Sequence, residues 1–269
     1  ALSFLNDHSN CTILAGGTDV ALRINKKHEK IPVILDISGI DEIKQIQLLQ
    51  NQSLWIGAGV NLETVRQICI DGFPALHSML SWFGSKQIRN KATLGGNLGS
   101  ASPIGDTIPV LMAYSAVVVL QNQITTRRVP ARGFITGYRK TVLNPGELIS
   151  AVEIPVPPKQ LIVKAYKVSK RKQLDISTVS AAFRLHVDNG TVKEFLAFFG
   201  GMAATTNLAR NASKFMTEKK WTIENMEQAA ELLEIDFKPI SDARSEAQTR
   251  LNIAKNLFIK FFNETGLAT

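Results

Sequence analysis

Apolar residues change period several times along the chain, and each change marks an element. Thr12-Ile13-Leu14-Ala15 is an apolar run of strand length that stops at Gly16-Gly17, which reads as a buried strand entering a turn. Residues 2–6 before it have helical spacing, and residues 19–27 restart a helix for which Thr18 is the expected cap. Strands are predicted at residues 33–37, 43–49 and 53–60, after which Asn61 opens a helix. Helical period returns over residues 74–84 through Leu76, Met79, Leu80 and Phe83. A glycine-rich stretch at residues 95–106 then precedes an apolar segment at 109–113 and a strand at 116–120.

Proline density jumps at Val152-Glu153-Ile154-Pro155-Val156-Pro157-Pro158. Proline fixes its own φ and lacks the N–H that helices and interior strands need, so a domain boundary is expected here, dividing residues 1–157 from 158–269. Beyond it, strands at residues 161–167, 179–187 and 192–199 precede helices at 223–234 and 244–263. Strands first and helices afterwards predict an antiparallel sheet with helices on one face, and an α+β chain as a whole. There is no internal repeat and no low-complexity tract.

Composition narrows the classes. With 269 residues, 45% hydrophobic and 20% charged, the chain has the make-up of a globular protein of two ordinary domains rather than a disordered one. Its net charge of +8 raises nucleic acid as a partner, yet the basic residues are scattered apart from Lys167, Lys170, Arg171 and Lys172. A dinucleotide or an acidic partner subunit accounts for that charge equally well. Two cysteines, Cys11 and Cys69, are too few for a disulfide framework or a cysteine-ligated iron–sulfur cluster within the chain. His8, His28, His77 and His186 show no metal spacing. No uncharged apolar run approaches the roughly 20 residues of a membrane helix, and no signal sequence opens the chain, so a cytoplasmic protein without membrane contact is expected. The start at Ala1-Leu2 rather than Met reads as a processed or trimmed end.

Three stretches can carry chemistry. Gly16-Gly17 after a strand lets successive N–H groups wrap an anion such as a pyrophosphate, with Thr18 adding a hydroxyl. A lone Gly-Gly pair is more often a plain turn that needs positive φ, and the spacing is not that of a Rossmann fingerprint. Residues 95–106, from Gly95-Gly96-Asn97 to Ser102 and Asp106, gather glycines, hydroxyls, an amide and a carboxylate, which suits phosphate and sugar or an ordinary surface loop. The basic run at 167–172 is either a solvated face or places a lysine beside a reduced flavin ring. Hydrolase and NTPase motifs are absent.

Taken together, several segments form one pattern: Ile13-Leu14-Ala15-Gly16-Gly17-Thr18-Asp19-Val20, then Trp82-Phe83-Gly84-Ser85-Lys86-Gln87-Ile88-Arg89-Asn90 leading into Ala92-Thr93-Leu94-Gly95-Gly96-Asn97 and Ala101-Ser102-Pro103-Ile104-Gly105-Asp106. Gly137-Tyr138-Arg139-Lys140-Thr141, Tyr166-Lys167-Val168-Ser169-Lys170-Arg171, Asp175-Ile176-Ser177, Phe199-Gly200-Gly201-Met202-Ala203 and Ser241-Asp242-Ala243-Arg244 continue it. This pattern resembles the FAD-binding domain of the xanthine dehydrogenase family of molybdenum hydroxylases over nearly the whole chain, and is most similar to the small, flavin-carrying chain of bacterial members.

The resemblance implies a type-2, PCMH-like FAD-binding domain of two α/β subdomains followed by a C-terminal α+β domain. It implies that Ile13, Leu14, Asp19 and Val20 frame the first FAD loop, with pyrophosphate contacts from Ala15, Gly16, Gly17 and Thr18. Further FAD contacts would come from Thr93, Leu94, Gly95, Gly96, Asn97, Ser102 and Asp106, the last on sugar hydroxyls. Phe83, Ile149 and Lys167 would pack beside the flavin. No acid–base catalytic residue and no metal site is expected, since the flavin does the chemistry. The loop at residues 168–178 would lie where the family admits NAD. Gln173 and Leu174 stand before Asp175 where animal members carry extra acids, which leaves NAD or oxygen open as acceptor. Electrons would reach FAD from a molybdenum cofactor through 2Fe–2S clusters, on a molybdenum-binding large subunit and on an iron–sulfur domain upstream or on a separate chain. Competing readings are a noncatalytic docking scaffold of the same fold, a flavin subunit of a carbon-monoxide or aldehyde dehydrogenase relative, and a nucleic-acid binder.

Overall fold

The computed structural model describes residues 1–172 and 174–267. Three packed cores organise it. At the start, α1 (Leu2–Asp7) and α2 (Val20–Asn25) flank two short parallel strands, β1 (Thr12–Leu14) and β2 (Ile34–Asp36). Ile13, Ala15 and Leu35 pack there on Leu5, Ile37, Ile43 and Leu148. Residues 43–49, expected as one strand, split into a 3-10 turn at Glu42–Lys44 and β3 (Ile46–Leu48).

The second unit continues with β4 (Ser53–Gly57) and the helices α3 (Leu62–Ile68), α4 (Pro74–Ser81), α5 (Lys86–Arg89), α6 (Leu94–Gly99) and α7 (Thr107–Ala113). Then come β5 (Val117–Gln121), β6 (Thr126–Pro130), α8 (Ala131–Phe134), the hairpin β7 (Ile135–Gly137) and β8 (Lys140–Thr141), and β9 (Leu148–Pro155). The sheet runs β3-β4-β9-β5-β6 and is antiparallel throughout. Strand β9 is central and buried along nearly all its length. The proline-rich stretch was expected to exclude such pairing, yet Val152 pairs with both Ile56 and Val118. Only Pro155 lies within the strand, at its last position opposite Ser53, where a missing N–H costs least. Two buried polar side chains are accommodated: Ser150 donates to the Val119 carbonyl at 3.2 Å, and Glu153 accepts from Arg128 at 3.0 Å.

The last unit is a sheet ordered β10 (Ile162–Val168), β11 (Val179–Asp188), β12 (Thr191–Gly200), β13 (Asn207–Leu208), followed by α9 (Arg210–Met216), α10 (Ile223–Glu231), α11 (Leu233–Asp236) and α12 (Ala247–Thr265). Its strands serve two cores by alternation. Ala181, Phe183, Phe195, Ala197 and Phe199 face the unit's own helices, where Phe183 stacks on Phe261 with centroids 4.7 Å apart. The intervening Ala182, Leu196 and Phe198 pack into the core of the second unit, where β11 and β12 meet α7. The sheet's own helices thus occupy one face, and the preceding unit covers the other. No helix among the described residues is long and apolar enough to cross a membrane.

Candidate functional site

Strand β1 delivers the chain into Ala15-Gly16-Gly17-Thr18, which turns at Gly17 with φ of +74°. That left-handed conformation favours glycine. Among the described residues, no acceptor takes the backbone N–H of Ala15, Gly16, Gly17 or Thr18. Unpaired successive N–H groups are a concave donor set for an anion. Helix α2 has Asp19 at its N-cap without a side-chain bond, so Thr18 is not the cap. The Asp19 carboxylate instead sits 3.5 Å from Arg139 Nη1, which leans the β7–β8 hairpin on the first loop. Val20 is half-buried, and Leu14 Cδ1 lies 3.4 Å from where a Cβ on Gly17 would be.

The second loop lies directly against the first. A Cβ on Gly16 would fall 1.7 Å from the carbonyl oxygen of Lys91, two residues before Thr93. Glycine at 16 is therefore required by the packing of one loop on the other. Thr93 bridges to Asn61 and caps α6, its Oγ1 accepting from the Gly96 N–H at 3.0 Å. Residues 94–99, expected within a polar loop, are thus helical, and Leu94 is fully buried. Gly95 is demanded by Ala58, whose Cβ would be 2.5 Å from an added Cβ. Asn97 turns inward, its Oδ1 accepting from Thr107 Oγ1 at 2.6 Å.

Between the loops is a groove of about 360 Å³ lined by Gly16, Gly17, Ser38, Lys44, Asn61 and Thr93, among others. Ser38, Lys44 and Asn61 are lining residues that sequence reasoning missed. The signal was there for Ser38: it follows β2, and ligands sit beyond the carboxyl ends of parallel strands. Free N–H groups, a lysine, hydroxyls and amides suit a phosphorylated ligand.

Asp106 and Lys167 meet elsewhere, at the seam between the second and third units. Asp106 Oδ2 accepts from Lys167 Nζ at 2.8 Å, and Oδ1 accepts from Ser177 Oγ at 2.5 Å. Both carboxylate oxygens accept a protein hydrogen bond and the residue is 4% exposed, so Asp106 is held at the seam between Lys167 and Ser177. Lys167 is likewise buried rather than part of a solvated face. The rest of the basic run is exposed: Arg171 N–H donates to Asp175 at 2.8 Å, and Lys172 Nζ lies 5.9 Å from the Trp82 ring centroid. Gln173 lies outside the described residues.

Phe83, half-buried, is held by its carbonyl, which accepts from Arg89 Nη1 at 3.0 Å. Arg89 in turn donates to Glu63 Oε2 at 2.6 Å, while Arg66 donates to Oε1 at 2.6 Å. The Arg66 bond, with Arg89 beside it, outweighs the opposing effect of burial and holds the Glu63 carboxyl down at about 2. Ile149 is buried in β9, its Cδ1 3.6 Å from the place of a Cβ on Gly99. Ser102 Oγ accepts from the Ile104 N–H at 3.4 Å. The structure therefore brings Ala15, Gly16, Gly17 and Thr93 into one groove, pairs Asp106 with Lys167, and leaves Leu94 and Ile149 in the core.

Residues 1–157 match the family described as FAD binding domain in molybdopterin dehydrogenase, and residues 164–265 match that of the CO dehydrogenase flavoprotein C-terminal domain. A xanthine dehydrogenase FAD-binding subunit of Escherichia coli is 30% identical, over 100% of this chain and 93% of that protein. A nicotinate hydroxylase of Emericella nidulans is 32% identical over 98% of this chain and 21% of its own length. The chain spans about a fifth of the length of this and several other relatives. In fold it is similar to carbon monoxide dehydrogenase from Hydrogenophaga pseudoflava, with a TM-score of 0.91 at 23% identity over 96% of this chain and 91% of that one. Matched over more than half its length and aligned end to end with an FAD-binding subunit, the chain belongs to the xanthine dehydrogenase-like FAD-binding domain family of molybdopterin dehydrogenases.

Proposed function

We propose that the chain holds FAD in the groove between its two glycine loops and acts as the electron-transfer component of a xanthine dehydrogenase-like molybdenum hydroxylase. The observation that carries this is the set of N–H groups at Ala15, Gly16 and Gly17, unpaired among the described residues, in the groove that Thr93 and Asn61 also line, with the unpaired N–H of Thr18 next in the chain. They bind the pyrophosphate, and Lys44 adds positive charge to the same wall. Thr93, Gly96 and Asn97 extend the contact, while the half-buried Phe83 forms apolar packing on the flavin side and Ile149, in the core, supports α6 at Gly99. Asp106 acts indirectly: it fixes the Lys167 ammonium at the seam, and Ser177 fixes Asp106.

Bound there, FAD would supply the redox chemistry, accepting electrons from iron–sulfur clusters and delivering them to NAD or oxygen. The protein's task is to bind, orient and shield it. Residues 1–157 form the FAD-binding unit and residues 158–269 a C-terminal flavoprotein unit, working in the cytoplasm beside a molybdenum-binding large subunit and an iron–sulfur domain. Identity to an FAD-binding subunit along the full chain supports this assignment. The experiment is reconstitution with FAD followed by gel filtration. Yellow absorbance is expected to travel with the folded protein, and a folded sample that sheds all flavin would refute the assignment.

A further inference from the structure

Away from the glycine loops, a second groove of about 590 Å³ runs between α4 and β10 and reaches the end of α12. Strand β10 gives it five consecutive residues, Val163, Lys164, Ala165, Tyr166 and Lys167. Successive side chains of a strand point to opposite faces, and here Val163 and Ala165 pack on the second core while Tyr166 packs on the third. A groove that touches all five must therefore follow the backbone edge. β10 is outermost in its sheet, and among the described residues no strand pairs with its free side. Such an edge presents a row of N–H and C=O groups to any extended chain that can reach it.

The wall of this groove is basic. Lys164, Lys172 and Lys260 line it with Glu264 as their acid, and Glu264 is shared by Lys164 and Lys260 at 3.7 Å each. Lys172 has its ammonium over the Trp82 ring, and Trp82 is 42% exposed. Lys167 is already matched by Asp106. Lysines on an edge can also serve to repel pairing. That role gives no reason for an exposed indole beside them.

An unpaired strand edge, an excess of ammonium groups and an exposed tryptophan meet in one groove. From that juxtaposition the geometry points to a docking site for an extended acidic segment of a partner polypeptide, which adds a strand to β10. Its carboxylates meet Lys164 and Lys172, and an apolar residue covers Trp82. This face shares Lys167 with the proposed flavin site but includes neither Gly16, Gly17 nor Thr93, so peptide binding here and FAD binding there can fail separately.

The test uses the whole chain and a fluorescein-labelled peptide of alternating glutamate and valine, followed by anisotropy. Saturable binding is expected, weakened about tenfold when Lys164→Glu and Lys172→Glu are combined, as rim charges that hold an acidic partner predict. Methylating alternate peptide nitrogens along the pairing edge should abolish binding to the unmodified protein. Amide exchange at residues 163–167 should slow when the unmethylated peptide is present, a readout that does not rely on the variant folding. Absence of saturable binding, undiminished binding of the methylated peptide, equal binding of a lysine–valine peptide, or displacement by an oligonucleotide of matched charge would each overturn the inference.

Discussion

Gly16 and Lys91 touch so closely that a Cβ on Gly16 would stand 1.7 Å from the Lys91 carbonyl oxygen, which locks the first glycine loop to the segment entering Thr93. Gly17, its neighbour, has room for a Cβ, 3.4 Å from Leu14 Cδ1, but holds φ at +74°. The two glycines therefore fail differently. Gly17→Ala should cost about 1–2 kcal/mol, the penalty of a left-handed L-residue. Gly16→Ala must displace backbone, and should cost about 1–3 kcal/mol or more and separate the loops. Urea unfolding midpoints of the two variants check the order, with Gly16→Ala the less stable.

Glu63 makes stability pH-dependent. Its folded carboxyl lies at about 2, below the ordinary value, because of Arg66 and Arg89. A depressed folded value stabilises the native state above the unfolded carboxyl range near 4.3, and that contribution is lost as pH falls toward 2. Glu63→Gln should therefore lower the urea midpoint at pH 6 and matter progressively less as the pH drops below 4. An undiminished difference at low pH would show that the arginines are not its source.

Lys167 and Asp106 are predicted to be coupled across the seam. Truncating one partner of a buried pair strands the other charge and typically costs about 3–5 kcal/mol, whereas replacing both by apolar residues is often close to neutral. Lys167→Met should thus destabilise strongly, and adding Asp106→Leu should restore much of the loss. A double-mutant cycle on unfolding free energy measures this, and additive losses would contradict the coupling.

The cysteines should differ in reactivity. Burial pushes the Cys69 thiol up to about 12, whereas Cys11 is only partly buried. Alkylation of the native protein at pH 8, read by mass spectrometry, should label Cys11 and leave Cys69 until the protein unfolds.

Much of the fold is legible in the sequence, for reasons that also explain what is not. Strands β11 and β12 show clearly because alternate residues serve two different cores, leaving few polar positions. Helix α6 is hidden, since Gly95, Gly96 and Gly99 are poor helix formers and the turn depends on the Thr93 cap and contact with Ala58. Strand β9 is masked by the prolines that follow it, although only Pro155 belongs to it. In the site, the glycine loops are recognisable by composition. The contact of Gly16 with Lys91 is tertiary, and the engagement of both Asp106 oxygens depends on Ser177, which no local pattern announces.

The most direct measurement of the central claim is backbone amide exchange of the chain with and without FAD. The N–H groups of Ala15, Gly16, Gly17 and Thr18 have no protein acceptor among the described residues, so FAD should slow their exchange selectively, together with that of Thr93. Tight FAD uptake that leaves these amides exchanging at their free rate would contradict the account.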